Sequence, residues 1–339
     1  MILLDNNLVD NNLVIGIDLG GTNIKGALVD GEGAIIAKLE TATRANAGPE
    51  AVAGRISGII TDLEAMANDR ERRVPGIGIG VPGQSDQAQG TVIFAPNLHW
   101  HNVPLVKYLH RITRLPIFLE NDANVAALGE QWRGAGRGSV NMVMITVGTG
   151  IGGGLILNGR LYSGTNGSAG EVGHTVIDPD GPQCSCGRRG CLETLTSATA
   201  MVRMAQEAID RGEETDLVRV ENLEAKDIFM SAEAGDKTAR EIVNKAAYFL
   251  GIGLGNLINI FNPDTIVIGG GVSKAGDILF KPLRRTAMEQ ALDAPAAVVR
   301  IIPAELGNDA GCIGAAKLVF QAVESQDHYS LHRKGEIRD

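Results

Sequence analysis

The chain is poor in aromatic residues, which make up only 4% of its 339 positions. Its core must therefore be built from Val, Ile, Leu and Ala. Cysteine is scarcer still, at four residues. That is too few to staple a chain of this length, so a disulfide scaffold is excluded and a reducing, cytoplasmic setting is expected. No apolar run approaches the roughly 20 residues that cross a bilayer. Asp5 and Asp10 interrupt the N-terminal stretch, so no signal peptide is expected. Positive charge is also in deficit: 31 Lys and Arg stand against 40 Asp and Glu, a net charge of −9. The basic clusters at Arg70–Arg73 and His332–Lys334 are short and mixed, which argues against a surface that tracks a nucleic-acid backbone. The expected partners are small molecules, with neither nucleic acid nor membrane among them.

Glycine is plentiful, at 44 residues, and it falls at the ends of apolar runs. Leu13–Leu19 reads as a strand ending at Gly20-Gly21-Thr22, with a second strand over Asn23–Val29. Val140–Val147 reads as a strand ending at Gly148-Thr149-Gly150, followed by a strand over Gly152–Leu157. This strand–glycine–strand unit thus occurs twice. Further strand–glycine junctions lie at Pro82-Gly83 and Gly269–Gly271. Helical spacing of Val52, Ile56, Ile59, Ile60 and Leu63 predicts a helix over Glu50–Ala67, and other helices are expected at Val103–Thr113, Ala123–Gly134, Ser197–Arg211, Ala225–Ala234, Asp236–Asn259, Pro282–Ala291 and Asn308–Val323. Alternating strands and helices predict an α/β protein of two halves facing a cleft at the strand ends. The expected division is a small domain of residues 1–122 with 310–323, a large domain of 123–309, and a loose polar tail over 324–339. Residues 1–12 are also expected to be loose.

Asp18-Leu19-Gly20-Gly21-Thr22 suits phosphate: two glycines let backbone N–H groups approach oxygens, Thr22 adds a hydroxyl, and Asp18 stands where it can hold a Mg²⁺ shell. Gly148-Thr149-Gly150 is a second phosphate loop. Gly148-x-Gly150-x-x-Gly153 and Gly78-x-Gly80-x-x-Gly83 match a dinucleotide fingerprint formally, but no helix follows either turn, so that reading fails. In the run Gly269–Ser273, Gly270 and Gly271 suit equally a platform for a base or ribose and close helix–sheet packing. Glu120-Asn121-Asp122 closes a strand and opens a helix, where Asp122 can take a hydroxyl proton and Asn121 can fix the acceptor. Asn97, in the loop Pro96–Trp100, can both donate to and accept from sugar hydroxyls. His99 and His101 are expected to face solvent, and Cys312 to be a packing cysteine.

Three of the four cysteines lie within one run. Glu171-x-x-His174 is followed by Cys184-x-Cys186-x-x-x-x-Cys191-x-Glu193. One nitrogen and three sulfurs fill a tetrahedral shell, as in structural zinc sites, and leave no open position for water. Glu171 and Glu193 flank the ligands as spare carboxylates.

Together these motifs resemble the ROK family of sugar kinases from about Val14 to Val323. The segments that carry the likeness are Asp18–Thr22, Glu120–Asn124, the glycine run 148–154, Glu171–His174, Cys184–Glu193 and Gly269–Ser273. The resemblance implies an actin-like, ribonuclease-H-like ATPase fold whose two domains close on sugar and ATP. It implies Asp122 as the catalytic base, and Gly83, Asn97, Asn121, Asp122, Glu171, His174 and Glu193 as sugar ligands. It implies His174, Cys184, Cys186 and Cys191 as zinc ligands, ATP with Mg²⁺ as donor, and a homodimer or homotetramer. Within the family the likeness leans to glucokinases, with kinases for N-acetylglucosamine, N-acetylmannosamine, mannose or fructose as the alternative. Polyphosphate-dependent relatives generally lack the cysteine run, which favours ATP. ROK repressors carry a helix-turn-helix domain ahead of the Asp18 motif, where only about a dozen residues stand here, so a repressor is the less favoured expectation.

Overall fold

The structure, a computed structural model, describes residues 12–335, with side chains to residue 322. The expected loose N-terminus over 1–11 lies outside the described residues. Backbone contacts divide the chain into two units. One comprises the chain to Arg137, Ser163–Ala169 and the chain from Asn308; the other comprises Gly138–Tyr162 and Gly170–Gly307.

The first unit begins with β1 (Val14–Leu19), β2 (Asn23–Val29), β3 (Ile35–Ala42), α1 (Pro49–Asn68), β4 (Ile77–Val81), β5 (Gln84–Asp86), β6 (Thr91–Ala95), β7 (Trp100–Val103), α2 (Leu105–Leu109), β8 (Ile117–Asn121) and α3 (Asp122–Arg133). The second unit holds β9 (Met142–Val147), β10 (Ile151–Leu157), β11 (Arg160–Leu161), α4 (Leu192–Thr196), α5 (Ala198–Asp210), α6 (Ala225–Ala234), α7 (Lys237–Phe261), β12 (Thr265–Gly269), α8 (Asp277–Gln290), α9 (Asp293–Ala296) and β13 (Arg300–Pro303). The chain then returns to the first unit with α10 (Ala310–Gly335).

The repeat read from the sequence is a repeat of topology. The first sheet has the order β3-β2-β1-β4-β8 and the second β11-β10-β9-β12-β13. In each, the leading strand pairs antiparallel with its successor and parallel with a strand reached by a crossover: β1 with β2 and β4, β9 with β10 and β12. The parallel strands β4 and β12 are buried throughout, as expected of strands covered on both faces.

One face of the first sheet packs on α1 through Val52, Ile56, Ile59, Ile60 and Leu63, the residues that share a helical stripe in the sequence. Fully burying an Ile such as Ile56 contributes roughly 2 kcal/mol. Pro49 opens that helix, where its missing N–H costs nothing. On the other side Gly16 and Gly78 let the α10 backbone come close: a Cβ on either would stand 2.0 Å from the Cys312 carbonyl oxygen or 1.8 Å from that of Ala315. Cys312 is fully buried there, as expected for a packing residue, and burial pushes its thiol pKa up.

Several expectations need correction. α3 belongs with the first unit, not the second. It crosses α10 at near-backbone contact, since a Cβ on Gly314 would stand 1.6 Å from the Val125 carbonyl oxygen. The first segment of the unit therefore runs to Arg137, beyond the expected boundary at residue 122. The expected loose tail from 324 is helical through Gly335, with 336–339 outside the described residues. The α8 helix starts at Asp277 with Pro282 in its interior; burial of Leu279, Phe280 and Leu283 on one side outweighs the hydrogen bond the proline cannot make. The segment after Pro82 is not only loop: β5, β6 and β7 form a three-stranded sheet.

Candidate active site

In the first unit the predicted residues gather at strand ends. Asp18 is near the end of β1, and its carboxyl carbon would lie 2.6 Å from a Cβ on Gly311 of α10. Burial pushes the Asp18 pKa up, partly offset by Lys25. The turn that follows is held by Gly20 N–H to Asn23 O at 2.9 Å and by the Thr43 hydroxyl to Gly20 O at 2.7 Å, while Gly21 and Thr22 are exposed. A firm turn with outward N–H groups can receive phosphate oxygens. Asn97 lies against Gly21, whose Cβ would be 3.5 Å from the Asn97 Cβ. His99 and His101 are exposed, as expected.

At the β8–α3 junction Asn121 caps the helix: its side-chain oxygen accepts from the Ala123 and Asn124 N–H groups at 2.9 and 3.2 Å. Its amide nitrogen donates to the Gly83 carbonyl at 2.9 Å, tying the two predicted residues together. The oxygen is thereby saturated, so Asn121 can offer a sugar only its second N–H. Asp122 follows at the first helical position. Solvent reaches its side chain, yet neighbouring protein atoms desolvate its carboxyl. That desolvation first, and the Asp18 charge second, push its carboxyl up to about 6 against hydrogen bonds from Ala123, its own N–H and Asn121. A carboxylate with a pKa near neutrality is suited to general-base work.

In the second unit His174 ends a short 3-10 turn, Val172–His174, that Glu171 precedes, and Glu171 is exposed. The chain then folds on itself: Cys184 N–H donates to Arg188 O at 2.7 Å, and Ile177 and Asp178 both donate to Gly190 O. This brings the ligand atoms of His174, Cys184, Cys186 and Cys191 within 4.8 Å of one another. Cys184 Sγ is 3.6 Å from His174 Nδ1, and Cys186 Sγ is 3.6 Å from Cys191 Sγ. Zinc bonds of 2.0–2.3 Å imply ligand atoms roughly 3.5–3.8 Å apart in a tetrahedron, so the donors fit that ion in kind and number, and these two pairs fit it in spacing. The backbone N–H of Arg188 draws the Cys186 thiol down to about 6, whereas burial pushes Cys191 up to about 12. With Nδ1 turned to the sulfurs, Nε2 of His174 is left for another partner. Glu193 lies two residues past Cys191 in the first turn of α4, and its carboxylate accepts from the Ile151 N–H at 2.9 Å. Gly150 allows this approach, since a Cβ there would be 2.3 Å from the Glu193 oxygen.

A cavity of about 690 Å³ also lies in this unit. Gly148, Thr149 and Gly271 line it. Gly150 and Gly270 do not: the first faces Glu193, and the second is packed on the Val147 backbone at positive φ. Much of the remaining wall carries no motif in the sequence: it includes Thr199 in the first turn of α5, Phe229 and Met230 of α6, and Lys274. Ala198 N–H donates to Gly148 O at 2.9 Å and the Thr199 hydroxyl to Thr149 O at 2.8 Å, joining the glycine loop to a helix N-terminus that attracts anions. Ser197, the α5 cap that accepts from Ala200 N–H, was the available signal.

These features carry a family signature, and a sequence model of the ROK family matches residues 14–322. The chain belongs to the ROK family. It is 42% identical to a glucokinase of Halalkalibacterium halodurans over 92% of this chain and 96% of that protein. A crystal structure of a ROK family glucokinase from Streptomyces griseus, in complex with glucose and AMPPNP, matches with a TM-score of 0.77 and 36% identity, over 91% of this chain and 99% of that one. The xylose repressor of Caldicellulosiruptor bescii is 32% identical over 95% of this chain and 81% of that protein. The fold is thus the two-domain sugar-kinase fold, as the ROK resemblance implies.

Proposed function

We propose that the protein transfers the γ-phosphoryl group of ATP to the 6-hydroxyl of glucose. The observation that carries this is the β8–α3 junction: Asp122 is a solvent-reached carboxylate with its pKa raised to about 6, on a helix start that Asn121 locks to the Gly83 carbonyl. A site that only bound sugar would have no need of a base tuned in this way. Similarity to glucokinases, one of them crystallised with glucose and a non-hydrolysable ATP analogue, supports the choice of substrates.

In this reading Asp122 orients the 6-hydroxyl and accepts its proton as the phosphoryl group arrives. Gly83, Asn97, Asn121, Glu171, His174 and Glu193 are the residues proposed to bind the remaining hydroxyls. Gly20, Gly21 and Thr22 offer N–H and hydroxyl donors to phosphate, while Gly148, Thr149 and the α5 N-terminus hold the nucleotide. Positioning and charge neutralisation dominate because the transition state is loose. Mg²⁺, held near Asp18, would supply neutralising charge on the phosphates. Zinc on His174, Cys184, Cys186 and Cys191 would fix the imidazole so that Nε2 meets the sugar. The enzyme would work in the cytoplasm as a homodimer or homotetramer. Product analysis by phosphorus NMR tests the reading: glucose and ATP should give glucose 6-phosphate and ADP, and Asp122→Ala should bind glucose while losing nearly all turnover. Absence of any phosphorylated hexose would sink it; faster transfer to N-acetylglucosamine, N-acetylmannosamine, mannose or fructose would move the specificity within the family.

A further inference from the structure

We propose that Glu120 is the positioning residue for Asp122, setting the β8–α3 junction so that the base and Asn121 meet the acceptor hydroxyl; the inference rests on the sugar-kinase reading above. Glu120 is only 8% exposed. It precedes Asn121 on β8, so its side chain points to the opposite face of the sheet. A carboxylate buried in such a strand is costly unless its oxygens are satisfied. Here no Lys or Arg pairs with it among the described ion pairs, and the compensation is all hydrogen bonding.

Those bonds converge on the junction. One oxygen of Glu120 accepts from the Asn121 backbone N–H at 2.8 Å and from the Asn124 side-chain amide at 2.9 Å. The other accepts from the Ser163 hydroxyl at 3.3 Å. Asn121 in turn accepts from the Asn124 N–H, so Glu120, Asn121 and Asn124 close a ring that passes around residue 122. Asn124 is 1% exposed and its side-chain oxygen is unpartnered, so the bond to Glu120 is what orients that amide. The segment Ser163–Ala169 is secured to the same region a second time, by Gln84 donating to Ser168 at 2.7 Å, one residue from the Gly83 that Asn121 grips. The charge that opposes ionisation of Asp122 is that of Asp18. The role of Glu120 is therefore geometric, and an uncharged side chain of the same shape should fill it.

Steady-state kinetics with glucose and ATP on Glu120→Ala, Glu120→Gln and the double variant Glu120→Ala/Asp122→Ala test this. Glu120→Ala should lower kcat 10- to 100-fold with the KM for ATP within twofold. Glu120→Gln, whose amide oxygen can take both donors, should recover at least a third of kcat and keep the acid limb of the pH profile in place. In the Asp122→Ala background the same Ala substitution should cost less than twofold further, because a residue that acts through the base has nothing left to position. A full loss in that background, a Gln variant as impaired as Ala, or an unchanged kcat in Glu120→Ala would each overturn the proposal. If Glu120→Ala does not fold, Asn124→Leu reads the link from its other end: kcat should fall about tenfold at unchanged KM for ATP, and a normal kcat overturns it. Wild-type protein that phosphorylates no sugar at all would instead refute the kinase reading.

Discussion

Asp122→Asn should abolish turnover and at the same time stabilise the protein at neutral pH. The native carboxyl titrates at about 6 instead of its ordinary 3.8. A shift of about two units corresponds to a ceiling of roughly 3 kcal/mol by which folding disfavours the ionised form. Solvent reaches the side chain, so screening reduces that to about 1 kcal/mol. The sign follows from linkage. A raised folded pKa means that the native state holds its proton more tightly than the unfolded chain, so this stability is present below about pH 4 and lost as pH rises through 6. The asparagine carries no charge and keeps an oxygen for the Ala123 N–H, which Asp122 now binds at 2.9 Å. At pH 8 the variant should therefore unfold about 1–2 °C above wild type, with kcat lower by 10² to 10⁴, the usual cost of a lost base. Thermal unfolding of both proteins at pH 8 and pH 4, beside their kinetics, checks this. Equal stability at pH 8 would refute the desolvation argument, and residual turnover above a tenth of wild type would refute the role of the base.

Other consequences are as specific. kcat/KM for glucose should fall as pH drops through about 6, where Asp122 takes up its proton; a flat profile between pH 5 and 8 would contradict this. Cys184→Ser should lose bound zinc, measured by metal analysis, together with most activity, although Cys184 is itself buried; metal-free protein with full activity and normal sugar affinity would reduce the cluster to a remote staple. Gly150→Ala should displace the Glu193 carboxylate, which a Cβ would meet at 2.3 Å, and raise the KM for glucose about tenfold more than that for ATP; a change confined to ATP would place Glu193 elsewhere in function.

What could be read from the residues depended on how locally each feature is encoded. The clustering of His174 with the three cysteines was legible because these residues lie close along the chain, with turns at Gly187 and Gly190, both at positive φ. Asp122 was legible because Glu120-Asn121-Asp122 puts three polar residues where an apolar strand ends. The duplicated sheet showed through its two strand–glycine–strand units. The side of the division on which α3 falls did not, because it depends on contact with α10, far along the chain. The cavity wall was hidden for the same reason: Phe229 and Met230 are apolar residues of an amphipathic helix, and only the fold opens their surface onto a cavity. Asn121, read as a sugar ligand, turns out to spend most of its hydrogen bonds on Gly83 and the helix start.

The most direct test of the central claim is a coupled ADP-release assay on the purified protein with ATP and Mg²⁺ across glucose, mannose, N-acetylglucosamine, N-acetylmannosamine and fructose. The account predicts the highest kcat/KM for glucose, dependence on ATP, and collapse of the signal for every sugar in Asp122→Ala. ADP release that survives that substitution, or none with any of the five sugars, would contradict it.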